Sequence, residues 1–325
     1  VSHLGVAPFV PSVCQAMVLR GDDSGLDVNP GARIHVLPNV AGFVGSDLVG
    51  VVLATLREDE DHTRLAVDVG TNGEMALVHK GQLYSCSAAA GPAFEGARIS
   101  CGMRGSSGAI DSVKITDKVY ITTVDDRRPI GLCGSGLVDV VAELLRIGII
   151  DPTGRMLSAE EVEHLPQAVR ERLIVVDDAV EFILATEQEA GRRDPITLTQ
   201  RDVRELQLAK GSIRAAIETL LKTAGATADD LSEIVLAGAF GNYIRVENAI
   251  AIGLLPPISI EKIKAAGNAA GVGAKLALIS VKERERAAIL AERIEHIELA
   301  SHQEYHKQFM DQMLFPSPRG EVIVS

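Results

Sequence analysis

The residues best suited to chemistry follow a short apolar segment that contains an acid. Residues 65–69 have the pattern of a buried strand, and Asp68 stands near its carboxyl end, where ligands bind in many α/β proteins. A returning strand is predicted at 75–78. Glycines at both ends of the turn between these strands allow consecutive backbone N–H groups to point at one anion. The turn consists of Gly70, Thr71, Asn72 and Gly73.

A second carboxylate, Glu74, follows this turn directly, while Thr71 and Asn72 add side-chain donors to it. A nucleotide with Mg²⁺ needs both kinds of group, because amides bind the phosphates and carboxylates hold the water shell of the metal. We therefore predict Asp68 and Glu74 as catalytic acids that bind Mg²⁺ through water, with the turn as the phosphate site. The alternative is that Asp68 only caps the turn and the glycines only serve the hairpin.

Another glycine-rich segment follows an apolar strand predicted at 234–237. Its small residues would let a planar ligand lie on the backbone, and its final amide side chain can donate or accept a hydrogen bond at a base or ribose. The segment consists of Gly238, Ala239, Phe240, Gly241 and Asn242. An ordinary turn from a strand to a helix is the alternative interpretation.

A third glycine-rich segment precedes an amphipathic helix predicted at 137–146. Backbone groups of Gly134, Ser135 and Gly136 are placed there to bind an anion at a helix N-terminus. The alternative is a plain turn in which Ser135 is the N-cap of the helix.

A long helix is predicted to begin at 199–202, a sequence that resembles a capping box with Asp in place of Glu. Gln207 and Lys210 lie three residues apart and therefore share one face of this helix. Both side chains have the reach to contact a ribose or a phosphate. The alternative is that they form a solvated polar face.

The elements that must position these residues are strands and helices in alternation, with a β-meander around the first turn. Hydrophobic periodicity and turn signals predict them. Strands are expected at 32–37, 65–69, 75–78, 83–86, 234–237 and 297–299, with two more in each of 109–124 and 173–184. Helices are expected at 46–56 with Ser46 as N-cap, 137–146, 160–172, from 199 onward, 246–252, 270–280, 281–294 and 302–314.

Composition limits the class of protein. The chain has 325 residues, 46% of them apolar and 23% charged, with a net charge of −12. This composition supports a folded core, and the acidic balance excludes a dedicated binder of nucleic acid or of anionic membranes. No apolar run approaches the roughly 20 residues of a membrane span. Four cysteines that are not spaced as a framework predict a reducing, cytoplasmic location.

Together the three glycine-rich segments resemble the nucleotide site of the actin, sugar-kinase and heat-shock-chaperone ATPase superfamily. Residues 68–74 are similar to its second phosphate motif, and residues 234–242 are similar to its adenosine motif. Gln207 and Lys210 stand where the chaperones carry an adenosine-contacting Glu and Lys. The resemblance implies an α/β fold of ribonuclease-H-like lobes, with a mixed sheet flanked by helices.

Longer phrases narrow the resemblance to the C-terminal domain of the reductive activators of corrinoid proteins. These phrases lie at 88–99, 131–136, 237–243, 267–273 and 294–299, and the resemblance extends from about residue 4 to residue 316. It implies ATP-dependent reduction of a Co(II) corrinoid protein to Co(I) in a methyltransferase system. The cofactors it implies are ATP and Mg²⁺, with the electron supplied by a [2Fe–2S] cluster in an N-terminal ferredoxin-like domain.

The sequence departs from that family at its beginning. It has no C-x₄-C-x₂-C run, so no iron–sulfur ligands are expected in this chain, and the first phosphate motif of the superfamily is also missing. We therefore interpret the chain as the C-terminal portion of a larger activator. Residues 1–60 would be the end of the first lobe with a connecting helix, 61–316 the second lobe, and 317–325 a tail.

Two other functions stay open at this point. The segment could be a docking or dimerisation scaffold for the corrinoid protein, without nucleotide turnover, in which the predicted helices 281–294 and 302–314 are partner surfaces. It could also be a small-molecule kinase of the same superfamily, for which the sequence offers no evident catalytic base. The expected partners are ATP and a corrinoid protein, with a possible homodimer and with neither nucleic acid nor membrane.

Overall fold

Residues 13–56 and 61–317 are described by the computed structural model. Residues 1–12, a charged stretch at 57–60 and the predicted tail from 318 onward lie outside the described residues. Among the described residues, no helix combines the length and apolar character needed to cross a bilayer.

Strands and helices alternate along the chain as the periodicity predicts. The strands are β1 (Met17–Arg20), β2 (Arg33–Val36), β3 (Thr63–Val69), β4 (Gly73–His79), β5 (Gln82–Ala88), β6 (Ala109–Ile115), β7 (Val119–Thr123), β8 (Gly131–Leu132), β9 (Leu173–Val176), β10 (Ala179–Ala185), β11 (Ile196–Thr199), β12 (Leu231–Ala237), β13 (Ile263–Gly267) and β14 (Ile294–His296). The helices are α1 (Ser46–Thr55), α2 (Gly134–Ile147), α3 (Gln167–Arg170), α4 (Glu187–Ala190), α5 (Gln200–Ala224), α6 (Gly238–Gly241), α7 (Val246–Ala251), α8 (Ala269–Ile279), α9 (Val281–Arg293) and α10 (Gln303–Gln312).

A six-stranded mixed sheet with the order β13-β12-β3-β4-β5-β14 forms the centre of the fold. Strands β3, β4 and β5 are antiparallel neighbours, which confirms the predicted meander. Strand β12 runs parallel to both β3 and β13, and β14 runs parallel to β5. Helices cover both faces, so the predicted α/β class with a mixed sheet is confirmed.

The two faces of this sheet carry different helices. Side chains alternate between the faces of a strand, so Leu65 and Val67 pack with α2 and α5 in the larger core, while Ala66 packs with α1, α8 and α9 in the smaller one. Asp68 and Glu74 continue the Ala66 and Ala76 rows towards the end of the sheet. Both acids therefore share the face that is covered by α1.

Helix α1 crosses α8 at two glycines, which allows the two backbones to touch. A Cβ on Gly273 would overlap the Gly50 carbonyl oxygen, and a Cβ on Gly50 would come within 2.9 Å of the Ala270 carbonyl oxygen. This close crossing fixes the N-terminal turn of α1, with Asp47, at the end of the sheet where Asp68 lies.

Helix α5 begins with the predicted capping box. The Thr199 hydroxyl accepts from the Asp202 N–H, and the Asp202 carboxylate accepts from the Thr199 N–H. The helix ends at Ala224, and Gly225 caps it. The φ of Gly225 is +70°, the left-handed conformation that glycine adopts at helix ends. Its buried stripe crosses the sheet so closely that Ile213 occupies the space above Gly73.

Three local predictions are wrong. The helix expected at 160–172 is only Gln167–Arg170, because Pro166 disfavours helical backbone in the residue before it. The strand expected at 297–299 lies at Ile294–His296 instead. Gly45, not Ser46, is the N-cap of α1, since the Ser46 hydroxyl donates to the Leu37 carbonyl.

Candidate functional site

The β3–β4 hairpin places its two acids side by side. Asp68 and Glu74 are direct cross-strand partners, so their side chains leave the same face of the sheet. Burial is the main cause that raises the pKa of both carboxyls, and the negative charge of Asp47 adds to it. With a further contribution from Asp68, the pKa of Glu74 rises to about 8. Without a cation, Glu74 is therefore mostly protonated near neutral pH, and a bound cation would favour the ionised form of both acids.

The tip of this hairpin offers donors to an anion. The Gly70 N–H donates to the Asn72 carbonyl at 3.2 Å, whereas the N–H groups of Thr71 and Asn72 have no acceptor among the described residues. Neither Gly70 nor Gly73 has a positive φ. Gly73 is needed for packing, since a Cβ there would come within 2.8 Å of Ile213 Cγ1. Two exposed N–H groups therefore remain at the tip.

The second glycine-rich segment lies beside the first because β12 and β3 are parallel. Ala237 is the register partner of Asp68, so Gly238 follows at the same edge of the sheet. Gly238 has a φ of +81°, and a Cβ at this position would overlap Asp68 Oδ1. The 238–241 segment forms one helical turn, α6. Asn242 is exposed, and its amide nitrogen lies beside Gly267, at the end of the next strand.

The third glycine-rich segment, at 134–136, lies at the N-terminus of α2 and contacts the second segment. Helix α2 begins at Gly134, one turn earlier than predicted, and its N-cap is Cys133 rather than Ser135. The Ser135 hydroxyl instead lies 3.3 Å from Cys133 Sγ. A Cβ on Gly134 would overlap the Phe94 carbonyl and come within 3.0 Å of the Phe240 ring. The N-terminus of α2 is therefore packed against the bend at 238–241.

Gly136 also serves packing, because a Cβ there would overlap the Ile110 carbonyl oxygen. All of the first turn of α2 is buried. The N–H groups of such a turn have no acceptor within the helix. The close packing of these glycines is therefore a structural requirement, and anion binding at this N-terminus stays a prediction.

Gln207 and Lys210 have a different environment from the one expected. Both side chains are fully buried, so the alternative of a solvated polar face is wrong. Gln207 Nε2 donates to the carbonyls of Thr153 and Met313 at 3.0 Å. Lys210 Nζ donates to the Leu314 carbonyl and lies 5.0 Å from the centre of the Phe315 ring. Their polar atoms hold the C-terminal segment, and a contact of either residue with a nucleotide stays a prediction.

Asp47 is a member of the acid cluster that sequence patterns missed. It is exposed in the first turn of α1, and its charge acts on both Asp68 and Glu74. The available signal was only an acid at a helix start, which is common because it interacts favourably with the helix dipole. Its place opposite the hairpin depends on the α1–α8 crossing.

The two hairpin acids are the candidate metal ligands of this site. Within 13–56 and 61–317, no group of three or more His, Cys, Asp or Glu side chains is arranged to hold a metal ion. Two neighbouring carboxylates fit Mg²⁺, which keeps several waters and takes one or two carboxylates together with phosphate oxygens. The four cysteines are free, and Cys86 and Cys133 are buried.

Two cavities lie near these elements. One of about 300 Å³ is mainly apolar and opens beside Asn72, between Phe43, Ser87 and Tyr305. The other, of about 750 Å³, lies between α2, α5 and the C-terminal segment, and none of the predicted site residues line it. The three glycine-rich segments, rather than the larger cavity, therefore define the candidate site.

The family models and the relatives that match this chain agree with one another. Residues 62–323 match the family model described as the C-terminal domain of RACo, the ASKHA domain, and residues 1–58 match the model of the RACo middle region. The chain is 39% identical over 316 residues to the corrinoid activation enzyme RamQ of Eubacterium limosum, covering 96% of this chain and 52% of that protein.

A second relative is a [Co(II) methylated amine-specific corrinoid protein] reductase of Methanosarcina barkeri, 27% identical over 308 residues, covering 87% of this chain and 52% of that protein. Among solved structures, a reductive activator for a corrinoid, iron–sulfur protein superposes with a TM-score of 0.85 at 35% identity. That match covers 97% of this chain and 49% of the other. The chain thus spans about half the length of these relatives.

Proposed function

This chain belongs to the family of the C-terminal ASKHA domain of RACo, and on that premise we propose that it binds Mg²⁺–ATP where its three glycine-rich segments meet. The observation that carries the proposal is the contact of the Asp68 edge with Gly238, together with the packing of Phe240 against Gly134. Segments more than 60 residues apart in sequence thereby come together beside two carboxylates, with the exposed N–H groups of Thr71 and Asn72 at the hairpin tip.

Each segment has a role in this proposal. The N–H groups of Thr71 and Asn72 at the hairpin tip, with the side chains of both residues, bind phosphate oxygens, and the 70–73 turn holds them in place. The N-terminus of α2, with Gly134, Ser135 and Gly136, adds the partial positive charge of its first turn. The 238–242 segment receives the adenosine, with Asn242 at its exposed end.

Asp68 and Glu74 are the acids that would hold Mg²⁺ through its water shell. The bound ion supplies charge neutralisation at the transferring phosphoryl group. The two carboxylates orient the water shell, and the raised pKa of Glu74 would fall again beside a cation because an opposite charge favours the ionised form.

For the whole protein we propose the activity that its relatives are named for. An ATP-dependent reductive activator would return a Co(II) corrinoid protein to Co(I), with a [2Fe–2S] cluster in an N-terminal ferredoxin-like domain as the electron source. ATP binding and hydrolysis would drive the conformational work of this uphill transfer. The corrinoid protein is the partner, the cytoplasm is the location that fits four free cysteines, and a homodimer is the proposed assembly.

Calorimetric titration of the intact protein with ATP and ADP in the presence of Mg²⁺ tests the first step. We expect saturable binding of both nucleotides and release of phosphate to water. Reduction of a Co(II) corrinoid protein, followed by visible absorption, tests the second step and should require ATP. No affinity for either nucleotide would contradict the proposal and leave a docking scaffold, whereas phosphate transferred to a metabolite would indicate a kinase.

A further inference from the structure

A single turn of helix at Pro92–Glu95 contacts all three glycine-rich segments. The Gly91 N–H, just before this turn, donates to the Thr71 carbonyl at 2.9 Å. The Phe94 carbonyl abuts Gly134, and the Phe94 ring lies 4.8 Å from the Phe240 ring, centre to centre. The turn is therefore fixed at the centre of the proposed nucleotide site.

A glycine with positive φ stands on each side of this turn, and the one on its C-terminal side is tightly packed. Gly91 and Gly96 have φ values of +78° and +77°, which other residues rarely adopt. Gly96 is packed so tightly that a Cβ would overlap the backbone of Met103, and the Ala97 N–H donates to the Pro92 carbonyl. Glu95 directly precedes this packed glycine, and its own side chain is exposed.

The carboxylate of Glu95 is bound to the hairpin tip. Thr71 Oγ1 donates to Glu95 Oε1 at 2.7 Å, and Glu95 forms no ion pair with another described residue. A hydroxyl has one proton to donate. A phosphate oxygen that receives the Thr71 proton must therefore displace Glu95, and it must also bind close to an unpaired negative charge.

We propose that Glu95 is a positioning residue that makes this site distinguish a nucleoside triphosphate from a diphosphate. In the free protein it holds the Thr71 hydroxyl away from the bound anion. The terminal phosphate of a triphosphate takes over that hydroxyl at the hairpin tip and displaces the Glu95 side chain, whereas a diphosphate leaves the Thr71–Glu95 pair intact. This inference rests on the proposed nucleotide site.

The test is the ratio of affinities for ATP and ADP, measured by calorimetry on the intact protein with Mg²⁺. Glu95→Gln removes the charge and keeps the shape of the side chain. It should strengthen ATP binding about fivefold or more, because the hydrogen bond that Thr71 must give up is weaker with a neutral amide than with a carboxylate. The affinity for ADP should stay within twofold of the wild-type value. Glu163→Gln is the matched control, since Glu163 is exposed and has no hydrogen-bond partner among the described residues; it should change neither value.

Thr71→Val provides an independent second arm. It should weaken ATP binding, and Glu95→Gln should give a smaller gain in that background, since the hydrogen bond that Glu95 competes for is gone. Equal changes for ATP and ADP, or no change with Glu95→Gln, would overturn the inference and leave the proposed function intact. Absence of binding of either nucleotide to the wild-type protein would overturn the proposed function itself.

Discussion

The Asp68 carboxylate lies directly against the α-carbon of Gly238, with no space for a side chain between them. Asp68 is near the end of β3 and Gly238 follows β12, two parallel strands whose register pairs Asp68 with Ala237. Asp68 of the β3–β4 hairpin and Gly238, the first residue of the 238–241 turn, are therefore held together by sheet pairing. A substitution at either residue should therefore displace the other.

Replacing Gly238 with alanine tests this relationship. The variant combines an unfavourable φ of +81° with an overlap between its Cβ and Asp68 Oδ1, so Asp68 must move. We expect ATP affinity to fall by about tenfold, equivalent to about 1.4 kcal/mol, because a displaced Asp68 no longer holds the water shell of Mg²⁺ in place. The measurement is calorimetric titration with Mg²⁺–ATP.

Gly225→Ala is the control for backbone strain. Gly225 has a similar φ of +70°, but no atom lies within 4 Å of its added Cβ. Backbone strain of about 1–2 kcal/mol should destabilise both alanine variants to a comparable degree, visible as a lower Tm. Only Gly238→Ala should lose nucleotide affinity, and equal ATP affinities in the two variants would contradict the expected coupling to Asp68.

Asp68→Asn tests the role of the hairpin acid. An amide keeps the size of the side chain but cannot provide the negative charge that holds the water shell of Mg²⁺. We expect ATP hydrolysis by the intact protein to slow by about tenfold or more, measured as phosphate release at saturating ATP. Asp194→Asn, at an exposed position, is the control. Unchanged turnover in Asp68→Asn would remove Asp68 from the metal site.

Asp47→Asn should raise the thermal stability of the protein and lower its ATPase activity. Its negative charge acts on Asp68 and Glu74 across the α1–sheet contact, so its removal relieves repulsion in the nucleotide-free protein. We expect Tm without Mg²⁺ to rise by about 1–2 °C, while phosphate release slows because the acid pair attracts Mg²⁺ less strongly without the charge of Asp47. Asp229→Asn is the control, because Asp229 is an exposed acid in the helical turn Ala228–Asp230; it should alter neither Tm nor phosphate release. A lower Tm for Asp47→Asn would contradict the repulsion.

Local signals were sufficient for much of the fold. The hairpin at 65–78, the capping box at Thr199 and the bend after β12 depend on neighbouring residues, and each is where the sequence predicts it. Parallel pairing of β3 with β12 could be anticipated only through the family resemblance, since no periodicity specifies which strands pair. The helix expected at 160–172 shows the limit of periodicity. Its apolar pattern suits a helix, but Pro166 disfavours helical backbone in the residue before it.

The parts of the site that sequence analysis missed depend on long-range packing. Asp47 reaches the hairpin only because α1 crosses α8 at Gly50 and Gly273. Glu95 reaches Thr71 across 24 residues of chain. Gln207 was interpreted from its spacing on one helix face, yet its burial is set by Met313, 106 residues away. Spacing along an element predicts which residues share a face, but not what covers that face.

Lys210 gives a prediction about pH. Burial, with a smaller contribution from the charge of Arg214, lowers the pKa of its ammonium group to about 7 in the folded chain, whereas an unfolded lysine has a pKa of about 10.4. Between these values the unfolded state binds more protons than the folded state. The contribution of Lys210 to the free energy of unfolding must therefore rise with pH from about 7 to about 10, by at most about 1.4 kcal/mol per pH unit.

Lys210→Met removes this titration and keeps the length and apolar stem of the side chain. The difference in unfolding free energy between Lys210→Met and the wild type should change steadily in favour of the wild type as pH increases from 7 to 9.5. Urea unfolding at several pH values measures it, with Lys282→Met, at an exposed lysine, as the control. A difference that is independent of pH would show that Lys210 keeps an ordinary pKa, and that the segment of Leu314 and Phe315 does not exclude water from its ammonium group.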